Sequence, residues 1–304
     1  STGFWVSDHL ELTSAWSLLI DLRHDRLTNE LNDELQAGGV DLSGRTTFEK
    51  TTGRIGVAFH PVESFGLFAS WGQGFLPPAT EELANNPDHL GGFNTHLTAA
   101  TSHGPDLGIR GRLSARFHYE ADLFYLRTDK DFGRYRIATR PLETFYQNAG
   151  NSERWGLEGA FAWFPTDELT VRGAYTYSHF LYREVRTITG EVFHDHAMPN
   201  APEHQLSLDG EIRLHGGFVA GLGAELVTRW AVDASERIWT DGYALLHPRL
   251  AYRWQGARLQ GELVASIRNV TKIEYIAFTE PDPDGNSYQP APTRQYFVGA
   301  NLKF

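Results

Sequence analysis

Apolar and polar side chains alternate with a period of two residues along almost the whole chain, and this alternation constrains the fold more than any other feature. Leu206 and Leu208, for example, alternate with Ser207 and Asp209. This is the period of a strand with one apolar and one polar face. No segment shows a convincing helical period, so the pattern predicts an all-β chain. Thirteen strands are expected, at 3–12, 16–26, 52–60, 65–75, 104–113, 117–129, 152–164, 169–182, 204–214, 218–230, 241–254, 258–270 and 292–304.

Short and long connections alternate strictly between these strands. Tight turns on one side and long loops on the other are typical of outer-membrane barrels, whereas loops above roughly 15 residues are uncommon in compact domains. Strands of about 10–13 residues suit a tilted crossing of the hydrocarbon layer. The predicted fold class is therefore an antiparallel transmembrane β-barrel in the outer membrane of a Gram-negative bacterium. The long connections are expected at 27–51, 76–103, 130–151, 183–203, 231–241 and 271–291.

The last predicted strand has the character of a strand that closes a barrel. Tyr296, Val298 and Leu302 alternate with polar or small residues, and the sequence finishes on Phe304. Open sheet edges do not persist in lipid, and bacterial single-chain barrels have even strand numbers. We therefore expect this strand to pair outside the thirteen. Pairing with the strand at 3–12 would instead indicate a small complete barrel.

Composition excludes several other classes. The chain has no cysteine, which excludes disulfides and thiolate metal sites, and no run of about 18 apolar residues that would form a membrane helix. Aromatic residues make up 13% of the sequence, which suits the interfacial girdles of a barrel. The net charge of −11 argues against nucleic acid as a partner.

Several motifs, in this order and spacing, resemble those of TonB-dependent outer-membrane receptors. They are Gly3 to Asp8 with Trp16 to Asp25 (G-x-x-x-x-D … W-x-L-x-x-G-x-R-x-D), Gly74 to Pro78 (G-F-x-x-P), Asn148 to Glu158 (N-x-G-x-x-x-x-x-G-x-E), Arg268 to Tyr275 (x-N-[LV]-x-[DN]-x-x-Y) and Gly299 to Phe304 (G-x-x-Φ-x-aromatic). Asp21 departs from the family's usual Gly, and Phe297 replaces a more common polar residue.

The resemblance implies that residues 1–304 are the carboxy-terminal portion of a receptor barrel of about twenty-two strands, without its plug domain. It further implies uptake of a scarce ligand, most commonly a ferric siderophore or similar metal chelate, with energy supplied through TonB and the missing plug. Outer-membrane lipid, lipopolysaccharide and another chain that completes the barrel are further expected partners. The alternative is a plugless barrel that acts as a passive porin or as a structural component of an outer-membrane assembly.

One long connection combines cations with aromatic rings. Arg134, Tyr135, Arg136, Arg140 and Tyr146 fall within it. Arginine pairs with carboxylate or phosphate, and tyrosine stacks on planar ligands. The group is a candidate site for an anionic chelate, although lipopolysaccharide phosphates or plain solvent exposure would also account for it.

Other side chains have the chemistry for metal binding or catalysis. His194 and His196 flank Asp195, a set that would ligate zinc, copper or iron given one more ligand, or would simply form a solvated loop. They are kept as candidate ligand-binding residues, and no resident metal or cofactor is expected. His89 follows an Asn-Pro pair, the reverse of the haem-receptor order, and the segment at 281–288 is expected to form a turn, not a calcium loop. No nucleophile motif accompanies the histidines, so no enzyme is expected.

Overall fold

The computed structural model describes residues 1–304 except 35, 37–40, 89–90, 138, 188–189, 257–258, 283–284 and 304. Its strands are β1 (Thr2–Glu11), β2 (Trp16–Leu31), β3 (Gly44–Val62), β4 (Phe65–Leu76), β5 (Ala100–Ser114), β6 (Phe117–Ile137), β7 (Arg140–Trp163), β8 (Leu169–Arg186), β9 (Val192–Phe193), β10 (His196–Ala197), β11 (His204–Arg213), β12 (Phe218–Val227), β13 (Tyr243–Gln255), β14 (Gln260–Arg268), β15 (Ile276–Asp282), β16 (Gly285–Pro290) and β17 (Gln295–Lys303). The described helices are α1 (Thr80–Leu83) and a 3-10 turn at His215–Gly217.

The thirteen predicted strands are confirmed in number and order. They form one antiparallel sheet in the order β1 to β8, then β11, β12, β13, β14 and β17. The short strands β9 and β10 pair with β8 beside this path, and β15 and β16 form a separate hairpin. The prediction of an all-β antiparallel chain is therefore correct.

The sheet has one apolar and one polar face. Residues directly opposite each other on paired strands share a face, so Leu208, Ala224 and Leu246 line up across β11, β12 and β13. Leu208 and Leu246 each remain 38% exposed. On the other face Asp209 and Arg249 form an ion pair. We call these the apolar face and the polar face below.

The long connections predicted at 27–51 and 130–151 are wrong over most of their length, because the strands continue through them. Thr28 and Thr47 stand opposite each other on β2 and β3, with 3.1 Å between their hydroxyl oxygens. Arg134 stands opposite Tyr146 on β6 and β7. Where both faces of a strand carry polar side chains, the apolar period disappears although the backbone ladder continues.

The buried apolar core lies at the end of the sheet that carries the long connections, which we call the loop end. Leu83 of α1, Phe93 and Leu97 pack there against Phe48 of β3. Leu31, Phe75, Ala99, Phe132 and Tyr146 surround this cluster. The described part of the connection between β4 and β5 is thus folded onto the strands and positions the side chains around it.

The two outer strands of the sheet have one neighbour each. Among the described residues β17 pairs with β14, and no pairing joins it to β1. This agrees with the expectation that β17 does not close on the strand at 3–12. Phe304, on which the expected assembly signal ends, lies outside the described residues. No helix in the described part of the chain is long and apolar enough to span a membrane.

Candidate functional site

A cavity of about 610 Å³ opens at the loop end, between the extensions of β6, β7 and β8 and the β15–β16 hairpin. Its volume falls within the usual range for ligand sites, about 300–1,000 Å³. Residues from seven separate parts of the sequence line it. They are Glu82, Phe132, Gly133, Arg134, Tyr146, Tyr182, Val185, Arg186, Thr187, Glu191, Pro199, Asp233, Ala234, Ser235, Arg237, Pro281, Gly285 and Asn286.

Two residues of the predicted chelate site, Arg134 and Tyr146, line this cavity. They share a face because they are directly opposite each other on β6 and β7. The Arg134 guanidinium donates to the Pro281 carbonyl oxygen at 3.0 Å and to Glu280 Oε1 at 3.4 Å. Burial, the largest cause, raises the pKa of the Tyr146 hydroxyl above its usual range, so this group stays a hydrogen-bond donor at neutral pH.

Three guanidinium groups reach the cavity, and they differ in how far they are already neutralised. Arg237 is 3.0 Å from Glu191 Oε1, in an exposed pair. Arg186 is the last residue of β8, and it makes no ion pair or side-chain hydrogen bond within the described part of the chain. Its positive charge is therefore available to a ligand, whereas Arg134 and Arg237 would have to share theirs with the protein.

The acidic side of the cavity is fixed by hydrogen bonds. Asp233 accepts from the Ser235 backbone amide at 2.8 Å and from Asn286 Nδ2 at 2.7 Å. Burial, the largest single influence, acts to raise the pKa of Asp233. A hydrogen bond from the Ser235 hydroxyl, the two bonds above and the nearby charge of Arg237 together outweigh burial, so the pKa lies below its ordinary value. Asp233 is thus ionised at neutral pH, and it joins the β12–β13 connection to β16.

The β15–β16 hairpin forms one wall of the cavity and is anchored by a buried polar pair. Asn200 donates from Nδ2 to the Thr279 carbonyl oxygen at 2.7 Å, and its Oδ1 accepts from the Thr279 backbone amide and hydroxyl at 2.9 Å each. Thr279 is fully buried. This pair and the Asp233–Asn286 bond hold the hairpin against two neighbouring connections.

The remaining predicted residues of the β6–β7 extension are not among the lining residues. Arg140 donates to the Asn86 carbonyl oxygen at 2.9 Å and pairs with Glu143, and its guanidinium carbon lies 4.5 Å from the centre of the Phe145 ring. The bond to Asn86 fastens this part of the β4–β5 connection to β7. The Tyr135 ring packs on Phe145 with centroids 5.8 Å apart, and neither Tyr135 nor Arg136 lines the cavity.

The structure does not bring His194 and His196 together as a metal site. His194 Nδ1 lies 3.3 Å from the Arg183 carbonyl oxygen, whereas His196 Nδ1 lies 2.8 Å from the Ala234 carbonyl oxygen. Asp195 between them pairs with Arg183 at 2.6 Å. The described residues contain no group of three His, Cys, Asp or Glu side chains placed to hold a metal.

Two other sequence interpretations fall partly on residues that the structure does not describe. His89, which follows the Asn-Pro pair, lies outside the described residues. At 281–288, Asp282 pairs with Gly285 across the β15–β16 hairpin, as a turn requires, and residues 283–284 between them are outside the described part.

Sequence reasoning missed Tyr182, Arg186, Asp233 and Arg237. Tyr182 and Arg186 lie in one stretch of the sequence and Asp233 and Arg237 in another, and only the fold brings these two stretches to the β6–β7 extension. Arg134 and Tyr146 were found because cations and aromatic rings are concentrated within one short segment.

Comparisons with known proteins agree with this architecture. Residues 1–270 match the family model described as TonB dependent receptor-like, beta-barrel. A similar curated protein is the probable TonB-dependent siderophore receptor PiuA of Acinetobacter baumannii, 21% identical over 285 residues, which are 91% of this chain and 37% of that protein. Another is the metal-pseudopaline receptor CntO of Pseudomonas aeruginosa, 25% identical over 247 residues, which are 79% of this chain and 32% of that protein.

The likeness extends to a solved structure. The crystal structure of the siderophore receptor PiuA from Acinetobacter baumannii matches with a TM-score of 0.77 at 19% identity, over 99% of this chain and 42% of that one. At this identity the match shows the fold. The chain spans about a third of the length of the curated relatives.

Proposed function

This chain belongs to the TonB-dependent receptor-like β-barrel family, and from that membership we propose that it forms part of the barrel wall of a receptor that takes up an anionic metal chelate. The family places it in the outer membrane of Gram-negative bacteria. The apolar face of the sheet then faces lipid, and the polar face lines the barrel interior. The loop end, with its cavity, is the side from which a ligand would enter.

The observation that carries the proposal is the convergence of cations and phenols on one cavity. Arg134, Arg186 and Arg237 line it together with Tyr146 and Tyr182. Guanidinium groups bind carboxylate, catecholate or phosphate oxygens through charge-assisted hydrogen bonds. Tyrosine rings stack on planar ligands and donate through their hydroxyls. An anionic chelate of a metal ion presents both kinds of group.

The names of the relatives support a metal chelate as cargo. PiuA is described as a siderophore receptor and CntO as a metal-pseudopaline receptor. Because this chain spans about a third of such proteins, energy coupling through TonB and the plug that would transmit it belong to the proposal for the whole receptor. Residues 1–304 would be the carboxy-terminal portion of that receptor. The relatives are transport receptors, and we propose no enzymatic activity.

Binding to the full-length receptor tests the cavity directly. The probes are a ferric tris-catecholate and ferric citrate, both anionic, and a neutral ferric trihydroxamate of the same metal. We expect the anionic chelates to bind and to be weakened about tenfold or more by Arg186→Gln, because a charge-assisted hydrogen bond is lost. The measurement is quenching of intrinsic tryptophan fluorescence during titration.

Arg45→Gln is the matched control, since Arg45 also lies near the loop end but pairs with Glu30 outside the cavity. It should leave affinity unchanged. Equal binding by the wild type and Arg186→Gln, or equal binding of neutral and anionic chelates, would contradict the proposed site. Ligand-independent conductance of the full-length protein in planar bilayers would instead support a passive pore.

A further inference from the structure

The apolar face carries a cluster of aromatic and histidine rings near the loop end. Trp155 of β7 lies against Tyr177 and His179 of β8, with ring centroids 5.4 and 5.2 Å apart. His204 of β11 continues the cluster, 5.2 Å from Tyr177, and its Nδ1 is 2.7 Å from the Tyr175 hydroxyl. Such rings, with an apolar body and a polar tip, favour the boundary between hydrocarbon and headgroups.

Beside this cluster lies a groove of about 720 Å³ with an apolar floor and a polar rim. Leu226 and Ala244, on the apolar face, belong to its floor, whereas Glu203, Arg229 and Trp239 form its rim. The Arg229 guanidinium carbon lies 4.9 Å from the centre of the Trp239 ring. Within the described residues Arg229 has no carboxylate partner, and the Glu203 carboxylate is 3.8 Å from His179.

A second concavity, of about 260 Å³, runs along the apolar face between β7, β8 and β11, and we call it the furrow. Gly159 and Gly173 lack side chains that would fill it, and Phe161 and Leu206 form part of its wall. Tyr175 belongs both to the furrow and to the ring cluster. Leu206 of the furrow stands directly opposite Leu226 of the groove floor on β11 and β12, so the furrow and the groove are adjacent on the apolar face.

We propose that this surface binds one phosphorylated glycolipid of the outer leaflet. Its phosphate would pair with Arg229, its sugar rings would lie on the faces of Trp155 and Trp239, and one acyl chain would occupy the furrow. A guanidinium on the lipid-facing rim that has no carboxylate partner favours an anionic headgroup. Arginines that are paired with carboxylates have less positive charge available for such a headgroup. The proposal rests on the location of the chain in the outer membrane and is independent of the cargo.

Native mass spectrometry of the full-length receptor in detergent micelles tests this site. The probes are bisphosphorylated lipid A, lipid A with both phosphates removed, and phosphatidylglycerol. We expect one tightly retained bisphosphorylated lipid A per receptor. Arg229→Gln should weaken its binding about tenfold or more, through loss of the charge-assisted contact. Gly159→Leu should also weaken the binding of lipid A, because the leucine side chain would fill the furrow. The substitution should not disturb the strand, since a β-carbon at Gly159 meets no atom closer than 3.8 Å.

Matched variants on the same face separate this site from general lipid contact. Arg26→Gln removes an exposed arginine of β2, and Gly53→Leu adds a side chain to β3, where a β-carbon is 3.5 Å from its nearest neighbour. Both should retain lipid A like the wild type, and all four variants should show wild-type heat-modifiable migration in gels. Equal losses in all four, no loss in any, equal retention of dephosphorylated lipid A, or preference for phosphatidylglycerol would each overturn the proposal.

Discussion

At the scale of single residues, the polar face depends on one glycine that leaves room for an arginine. Gly221 of β12 stands opposite Arg249 of β13. Across it, Arg249 Nη2 reaches Asp209 Oδ1 at 2.9 Å and Glu211 Oε2 at 3.3 Å, two strands away on β11. A β-carbon at Gly221 would lie 2.7 Å from Cγ of Arg249. The ion pairs that cross β12 therefore require the absence of a side chain at this position.

This geometry gives a matched pair of substitutions on one strand and one face. Gly221→Ala should destabilise the receptor by about 1–3 kcal/mol, because the methyl group displaces Arg249 from its carboxylates. Gly223→Ala should change stability little, since a β-carbon there lies 3.5 Å from its nearest neighbour, Cβ of His247. Equilibrium urea unfolding of the full-length receptor in lipid vesicles measures both. Equal midpoints and slopes for the two variants would contradict this account of Gly221.

At the scale of elements, the β15–β16 hairpin is held by contacts whose strength depends on charge. The bond from Asn286 Nδ2 to Asp233 Oδ2, 2.7 Å long, is charge-assisted while Asp233 is ionised. The pKa of Asp233 lies below its ordinary value. The contribution of the ionised Asp233 carboxylate to the stability of the folded state is therefore complete above the unfolded-state pKa, about 3.9. This contribution is lost as the pH falls through the lower folded-state pKa.

Hydrogen exchange in β16 should report this dependence. In the wild type we expect protection of the backbone amides of residues 285–289 to be constant near neutral pH and to fall only below about pH 4. Asp233→Asn should lower that protection already at pH 7 and remove its acid dependence, because the charge is absent throughout. Asp167→Asn, whose carboxylate pairs with Arg116 in a turn away from the cavity, should behave as the wild type. Unchanged protection in Asp233→Asn at pH 7 would disprove the role of this bond.

The elements also show where sequence reasoning works and where it stops. The thirteen strands on the main path of the sheet were predicted because contact with lipid on one face imposes a period of two. The extensions of β6 and β7 were missed because residues such as Arg134 and Tyr146 leave both faces polar or aromatic beyond the apolar band. Only part of the site was predicted from the sequence. Arg186 and Arg237 lie far from Arg134 in the sequence, and only the fold brings all three to one cavity.

At the scale of the whole molecule, the sheet has two edges that the described residues leave unpaired. Trp5 and Val6 on β1 are 71% and 69% exposed, and Tyr296 and Val298 on β17 are 68% and 86% exposed. Each edge presents a row of backbone amide and carbonyl groups, and in hydrocarbon each unsatisfied group costs several kcal/mol. We therefore propose that both edges pair with further strands of a larger receptor barrel.

Production of residues 1–304 alone tests this proposal. Without partners for β1 and β17, the chain should not acquire protease resistance or heat-modifiable migration in lipid vesicles, whereas the full-length receptor should acquire both. Val6→Cys combined with Val298→Cys adds a direct measure of closure, because a disulfide forms only where the two backbones come within about 7 Å. Protease-resistant 1–304 that forms this disulfide would show that β1 and β17 close on each other. The chain would then be a small complete barrel, and its cavity would need a function other than uptake through a larger receptor.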